Sequence, residues 1–157
     1  MNYYNKKIDH IDYRIITLLQ DNASLSIKEI STKVGLSLSP CWKRIQRLEK
    51  DGFIKKKTAI LDPVKLGYSN RVFVFIKTNQ HNKKWSEKFR TYILNQDNVI
   101  GLYRISGSFD YIIDVLSKSM SHYDSFYKNL IENVDLFEVS SSFVMEIMKE
   151  TTKVPLK

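Results

Sequence analysis

The spacing of apolar residues changes once along the chain, and this change constrains the fold more than any other feature of the sequence. From Ile8 to about residue 50, apolar residues recur mainly every three or four positions, which is the spacing of one helix face. Beyond residue 70, β-branched and aromatic runs such as 71–78 alternate with helical stretches. Pro63 and Gly67 lie where one pattern replaces the other. We therefore expect a mainly helical domain (1–61), a connector (62–69), an α+β domain (70–150) and a short tail (151–157).

Start and stop signals define two helices near the beginning of the chain. Asp9 precedes an apolar stripe, and its carboxylate can accept hydrogen bonds from first-turn amides, so a helix is expected over about residues 9–21. Residues 26–29, Ser-Ile-Lys-Glu, form a capping-box pattern that predicts the start of a second helix. Gly35 suits the left-handed position that ends it.

A third helix is expected directly after this glycine turn, up to Gly52. Ser37 or Ser39 can cap its start, and Pro40 suits its first turn. Its inner, apolar stripe consists of Cys41, Ile45 and Leu48. Its opposite, polar and basic face consists of Ser39, Lys43, Gln46, Arg47 and Lys50, and Trp42 lies at the edge between the faces. Two helices joined by a tight glycine turn indicate a helix-turn-helix whose third helix is the recognition helix.

Basic residues are concentrated in and just after this third helix. Between Lys33 and Lys57 there are eight basic and two acidic side chains, a local net charge of +6, against +8 for the whole chain. Residues 53–61 contain three consecutive lysines and an alternating segment, which predicts a short hairpin in the position of a wing. Such a helix fits the major groove, while flanking cations neutralise phosphates. We predict that double-stranded DNA contacts Ser37, Ser39, Pro40, Lys43, Arg44, Gln46, Arg47, Lys50, Lys55, Lys56 and Lys57.

The second half of the sequence predicts the element order β-α-β-β-α-β. The expected strands are 71–78, 99–106, 109–117 and 139–148, and the expected helices are 83–95 and one capped by Ser121. This is the ferredoxin-like sandwich arrangement, with helices on one face of an antiparallel sheet. Apolar residues, among them Val74, Ile76 and Val115, are expected on both faces of this sheet. A second subunit is therefore expected to cover the face that carries no helices.

Catalytic and membrane-spanning signatures are lacking in the sequence. His10, His81 and His122 are scattered, and no HExxH, CxxC, P-loop or GxGxxG motif occurs. We therefore expect neither an enzyme nor a metal site. No apolar run approaches the ~20 residues that span a bilayer. A single cysteine, interpreted as a core residue, and the lack of a leading apolar segment favour a cytoplasmic, nucleoid-associated protein.

In this order, the segments resemble the leucine-responsive regulator family (Lrp/AsnC, or feast/famine regulators) over almost the whole chain. The motifs that carry the resemblance in the first half are Val34-Gly35-Leu36-Ser37, Pro40-Cys41, Arg44-Ile45, Arg47-Leu48-Glu49, Gly52-Phe53-Ile54 and Leu61-Asp62-Pro63. In the second half, residues 106–111 are similar to the glycine-aspartate loop of the family, and 144–146 resemble its last strand. Each motif is weak alone, but their common order and spacing indicate the family.

The resemblance implies a transcription regulator that dimerises through its C-terminal sheets, assembles into rings, commonly octamers, and binds an amino-acid effector between dimers, with no other cofactor. By matching position, Ser106, Gly107 and Asp110 would line the effector site, because glycine lets a ligand approach and a carboxylate can pair with an α-ammonium. Tyr103 and Ser141 are additional candidates. A hairpin turn at Gly107 and a turn-capping carboxylate at Asp110 account for these residues equally well.

Two alternatives stay open within the same family. One is a regulator that needs no effector, and the other is an architectural protein that bends or wraps DNA with little sequence preference. The serines at 140–142 stand where relatives often carry threonine, so the resemblance does not identify the effector.

Overall fold

The computed structural model describes residues 8–156, which form two compact units. The first unit contains the residues up to Ile60 together with those from Glu150, and the second is Leu61–Lys149. The C-terminal tail thus belongs with the N-terminal helices. Within the described residues, no helix is long and apolar enough to cross a membrane.

Three helices build the first unit: α1 (His10–Asp21), α2 (Ile27–Val34) and α3 (Leu38–Lys50). Asp9 and Ser26 cap α1 and α2, each in a reciprocal capping box with the residue three positions later. Gly35 ends α2 in the left-handed conformation, with φ 74°. The helix-turn-helix expected from the caps and the glycine turn is therefore confirmed.

A single apolar core joins the inner faces of these helices. Its buried members are Ile15, Leu19, Ile30, Val34, Cys41, Ile45 and Leu48. Cys41 is fully buried, as expected, and this burial raises the pKa of its thiol. Because α3 buries one stripe completely, its other sides are free to face solvent.

The hairpin expected over residues 53–61 is wrong, because none of the described residues 51–69 lies in a helix or a strand. The wing position is instead occupied by an exposed, irregular segment. An isolated two-stranded hairpin is marginal in water, and three consecutive lysines offer no apolar face that would hold such strands together.

A four-stranded antiparallel sheet with two helices forms the second unit. Its elements are β1 (Asn70–Lys77), α4 (Lys83–Leu94), β2 (Val99–Arg104), β3 (Tyr111–Ser117), α5 (Met120–Asn133) and β4 (Glu138–Phe143). The strand order is β2-β3-β1-β4, so the first strand lies inside the sheet and β2 and β4 form its edges. The β-α-β-β-α-β prediction is confirmed.

The two faces of this sheet differ from the sequence expectation. Val74, Ile76 and Val115 all belong to the buried core beneath α4 and α5, so their assignment to two faces is wrong. The alternation of strands places Phe73 and Phe75 on the opposite face, where both remain partly exposed. The sheet therefore does have an open apolar face, but other residues form it.

Several element ends also differ from the predictions: β2 ends at Arg104 rather than at residue 106, and β3 begins at Tyr111 rather than at residue 109. Ser119, not Ser121, caps α5, because its hydroxyl accepts a hydrogen bond from the His122 amide at 3.1 Å. β4 ends at Phe143 rather than at residue 148, since Phe143 pairs with Val72 near the start of β1, where the partner strand begins. Strand propensity cannot extend a strand beyond its hydrogen-bonding partner.

Candidate nucleic-acid interface and small-molecule site

The outward side of α3 presents most of the side chains that the sequence assigns to DNA. Exposed at the start of the helix and along this side are Ser37, Ser39, Pro40, Lys43, Gln46, Arg47 and Lys50. Ser37 occupies the N-cap position, but within the described residues its side chain makes no capping hydrogen bond. Its hydroxyl and the first amides of α3 can therefore bind an anion from outside the helix.

Arg44 and Arg47 are tied to α1 by ion pairs. Arg44 Nη1 donates to Asp9 Oδ2 at 2.6 Å and to Asp12 Oδ1 at 2.8 Å. Arg47 Nη2 donates to Asp12 Oδ2, and Asp12 is fully buried. The side chains of Arg44 and Arg47 keep 29% and 45% of their exposure. This network fixes α3 against α1 and leaves the Arg47 guanidinium more accessible to a ligand than that of Arg44.

Asp9 shows the electrostatic effect of the same network. Its pKa is lowered from 3.8 to about 2, first by the hydrogen bond from the Asp12 backbone amide and then by the hydrogen bond from Arg44. The carboxylate that starts α1 is therefore charged at every ordinary pH.

The lysine segment 55–57 is exposed just beyond α3. Lys57 Nζ lies 3.0 Å from Glu49 Oε1, which connects the segment to the last turns of α3. The amines without an ion-pair partner among residues 8–156 include Lys43, Lys50, Lys55 and Lys56. Because these amines are not neutralised within the protein, they can replace the counterions of a phosphate backbone.

The loop between β2 and β3 contains three of the predicted effector residues and is organised around Asp110. The Asp110 carboxylate accepts a hydrogen bond from the Thr78 backbone amide at 2.8 Å. Thr78 is 32 positions away along the chain, so this bond ties the loop to the end of β1 instead of capping the turn of Asp110 itself. Gly107 has φ 129°, a conformation that other residues rarely adopt, and nothing lies within 4 Å of the position that a Cβ would take there. Backbone geometry, rather than close contact, explains this glycine.

A polar cavity of about 220 Å³ lies beside Asp110 in the second unit. Its lining residues are Thr78, Gln80, His81, Asn82, Lys83, Ser86, Arg104, Asp110 and Tyr111. Asp110, Lys83 and Arg104 give this lining charged residues of both signs.

Tyr103 and Ser141 are not among the residues that line this cavity, although Tyr103 directly precedes the lining residue Arg104. Tyr103 lies on edge strand β2 and pairs with Ile112, whereas Ser141 lies on the opposite edge strand and pairs with Val74. Three strand spacings, or roughly 14 Å, separate the two edges. Ser141 is on the helix face, where its hydroxyl bonds to the Tyr123 hydroxyl. One protomer therefore does not bring the five predicted effector residues together.

Sequence reasoning missed Asp12, Thr78 and Arg104. A signal for Asp12 was present, because a carboxylate three residues before Ile15 and seven before Leu19 lies on the buried stripe of α1 and requires a buried partner. Thr78 and Arg104 had no such signal, since only the pairing of β1, β2 and β3 brings them near Asp110.

Comparison with known proteins identifies two family models. The model described as "Winged helix-turn-helix DNA-binding" matches residues 8–55, and the model described as "Lrp/AsnC ligand binding domain" matches residues 71–154. Among curated relatives, the DNA-binding transcriptional activator DecR of Escherichia coli is 41% identical over 96% of this chain and 99% of its own.

Solved structures agree with these relationships. An AsnC family transcriptional regulator from Agrobacterium tumefaciens is 40% identical, with a TM-score of 0.90 over 94% of this chain and 97% of its own. A transcriptional regulator from Neisseria meningitidis, solved in complex with L-Met, is 27% identical, with a TM-score of 0.90 over 95% of this chain and 97% of its own. The chain belongs to the Lrp/AsnC family of DNA-binding transcription regulators.

Proposed function

We propose that the protein reads its operator with the outward side of α3 and anchors itself to flanking phosphates through the lysine segment 55–57. The observation that carries this proposal is that α3 buries Cys41, Ile45 and Leu48 while its opposite side exposes lysines that have no ion-pair partner among the described residues. Polar side chains along α3 would contact base edges, and the lysines would supply affinity that does not depend on sequence.

The test is the salt dependence of binding to a duplex that the wild-type protein selects from a random library. Lys43→Ala and Lys50→Ala should each reduce the slope of log affinity against log salt by about one if each amine contacts a phosphate. Lys84→Ala, on α4 of the other unit, is the matched control and should change nothing. Unchanged slopes for both α3 variants would contradict the interface.

A second part of the proposal is that an amino acid binds at the cavity beside Asp110 and modulates DNA binding. Two observations support it: the cavity carries both signs of charge, and a relative with the same fold has been solved with L-Met. Arg104 would hold the α-carboxylate and Asp110 the α-ammonium. Ser106, Gly107, Tyr103 and Ser141 would contribute only if neighbouring subunits bring them to the ligand.

A thermal-shift screen against the twenty amino acids tests the effector site, because a ligand that binds only the folded state raises the transition by mass action. The ligand that gives a shift should lose it in Arg104→Gln and in Asp110→Asn, whose amide oxygen can still accept the Thr78 hydrogen bond. Asp97→Asn, which changes an exposed carboxylate at a different cavity of the same unit, should respond as wild type. No shift with any amino acid would favour the effector-independent regulator.

The last part of the proposal concerns the oligomeric state of the protein and its location in the cell. The exposed parts of Phe73 and Phe75 favour a homodimer in which the open faces of two sheets meet, with dimers joined further into rings. We expect the protein in the cytoplasm with the nucleoid, and we expect no catalytic activity. Light scattering of Phe75→Lys would give a smaller particle than wild type, and an unchanged mass would exclude this face as the dimer interface.

The architectural alternative predicts a different binding profile. An architectural protein would show a steep salt dependence with little discrimination among duplexes. A specific regulator would instead select a consensus and bind other duplexes at least about a thousandfold more weakly at moderate salt.

A further inference from the structure

Two large apolar side chains are exposed on the recognition helix. Leu38 is 53% exposed and Trp42 is 47% exposed. They are four positions apart, so they lie about 40° from each other around the helix and form one apolar strip. Neither belongs to the core of the first unit. A ligand that covers this strip would therefore gain free energy from the burial of apolar area.

This strip borders the side of α3 that is proposed to enter the major groove. Around the helix, Leu38 and Trp42 flank the exposed Ser39, Lys43 and Gln46 on one side. On the other side of the same polar side chains, Arg44 and Arg47 are held by Asp12. The helix with its side chains is about 10–12 Å across and the major groove is about 12 Å wide, so both flanks of an inserted helix come close to the groove.

The chemistry of the groove identifies the partner. The thymine 5-methyl group is the apolar feature that the major groove offers, and apolar side chains contact it in known complexes. The exposed Lys43 and Lys50 beside the strip, which have no ion-pair partner within residues 8–156, favour a polyanion over an apolar polypeptide as the occupant of this surface. We propose that Leu38 and Trp42 contact thymine methyl groups and thereby specify A·T pairs in the operator, an inference that depends on the DNA interface proposed above.

The experiment removes the methyl groups without changing base pairing. The probe is the duplex that the wild-type protein selects from a random library, remade with deoxyuridine in place of thymidine at single positions. Burying one methyl group stabilises a complex by about 0.8 kcal/mol, so each contacted position should weaken wild-type binding about fourfold when it carries deoxyuridine. Trp42→Ala should bind the thymidine duplex more weakly than wild type and should lose the deoxyuridine effect at its own position. Leu38→Ala should do the same at a neighbouring position.

Controls separate this proposal from the interface on which it rests. Lys43→Ala should weaken binding to both duplexes equally and keep the full deoxyuridine effect. If neither Lys43→Ala nor Lys50→Ala affects binding, the interface itself is wrong. If the lysine variants behave as expected but wild type binds thymidine and deoxyuridine duplexes equally, only the methyl contact is refuted.

Two further outcomes would overturn the assignment of the strip. One is a Trp42→Ala variant that retains the full deoxyuridine effect at every position. The other is a Trp42→Ala variant with a smaller particle mass by light scattering, since the strip would then be an interface between copies of the chain. Because Trp42 is half exposed, we expect the Trp42→Ala variant to unfold at a temperature close to that of wild type. A change in DNA binding by this variant can then be attributed to the lost side chain.

Discussion

Replacement of the buried Asp12 by alanine tests the role of the ion-pair network in the helix-turn-helix. The Asp12 carboxylate is fully buried and accepts hydrogen bonds from Arg44, from Arg47 and from the Asp9 backbone amide, the last at 3.0 Å. The substitution Asp12→Ala would remove all three acceptor contacts at once. It would leave the Arg47 guanidinium without a counter-ion among the described residues, while Arg44 would keep its ion pair with Asp9.

The magnitude follows from these contacts. A hydrogen bond to a charged group stabilises a fold by about 1.5–3 kcal/mol, and removing one member of a fully buried ion pair costs about 3–5 kcal/mol. The side chains of Arg44 and Arg47 keep 29% and 45% of their exposure, so water can solvate part of each freed guanidinium. We therefore expect Asp12→Ala to lower the free energy of unfolding of the first unit by about 2–4 kcal/mol.

Urea unfolding followed by tryptophan fluorescence measures this loss. The sequence has two tryptophans, and a Trp85→Phe background leaves Trp42 to report on the first unit. Asp21→Ala is the matched control: Asp21 is also on α1 and also in an ion pair, with Lys153, but both side chains are more than half exposed. It should change stability by less than about 1 kcal/mol. Equal effects of the two substitutions would refute the reasoning.

Three further predictions concern the same unit. Asp9 contributes stability above its unfolded pKa of 3.8 that is lost as the pH falls through about 2, so the difference in stability between wild type and Asp9→Asn should shrink over that range; a difference that is as large at pH 2 as at neutral pH would contradict the assignment. Gly35→Ala should lower the free energy of unfolding by about 1 kcal/mol through backbone strain alone, since nothing lies within 4 Å of the added Cβ; a neutral result in urea would argue against strain. Truncation after Lys149 should destabilise the first unit by about 1 kcal/mol, because Val154 loses hydrogen bonds of 2.7 and 3.0 Å with Gln20; an unchanged Trp42 transition would show that the tail contributes nothing.

The helices of the first unit were predictable because their boundaries are encoded locally. Asp9, Ser26 and Gly35 each act on backbone groups within four residues, so the sequence near them determines where α1 and α2 begin or end. The inner stripe of α3 was predictable for the same reason, since a period of 3.6 residues assigns Cys41, Ile45 and Leu48 to one side.

The faces of the sheet were not predictable because strand pairing depends on distant residues. Val74 and Val115 looked like members of two faces in the sequence, yet the register pairs Val72 with Val115 and Val74 with Ile113, on the same side. The effector candidates failed to converge for a related reason. Tyr103 lies on β2, which pairs with β3 beside Asp110, but Ser141 lies on β4, and the strand order separates Tyr103 from Ser141 across the width of the sheet.

The buried carboxylate of Asp12 also explains why counting charges on the recognition helix does not predict which of its basic residues are available to DNA. Charge counting gives Arg44, Arg47, Lys43 and Lys50 equal weight as DNA contacts, but the structure divides them into two arginines that are held by Asp12 and two lysines that are unpaired among the described residues. An arginine that must release a buried carboxylate to reach DNA loses a charge-assisted hydrogen bond when it does so. We therefore expect Arg44 to act mainly by fixing α3 against α1, and Lys43 and Lys50 to be the residues available to DNA phosphates. This division predicts that Arg44→Lys, which retains the charge but not the forked geometry, affects the stability of the first unit more than it affects the salt dependence of DNA binding.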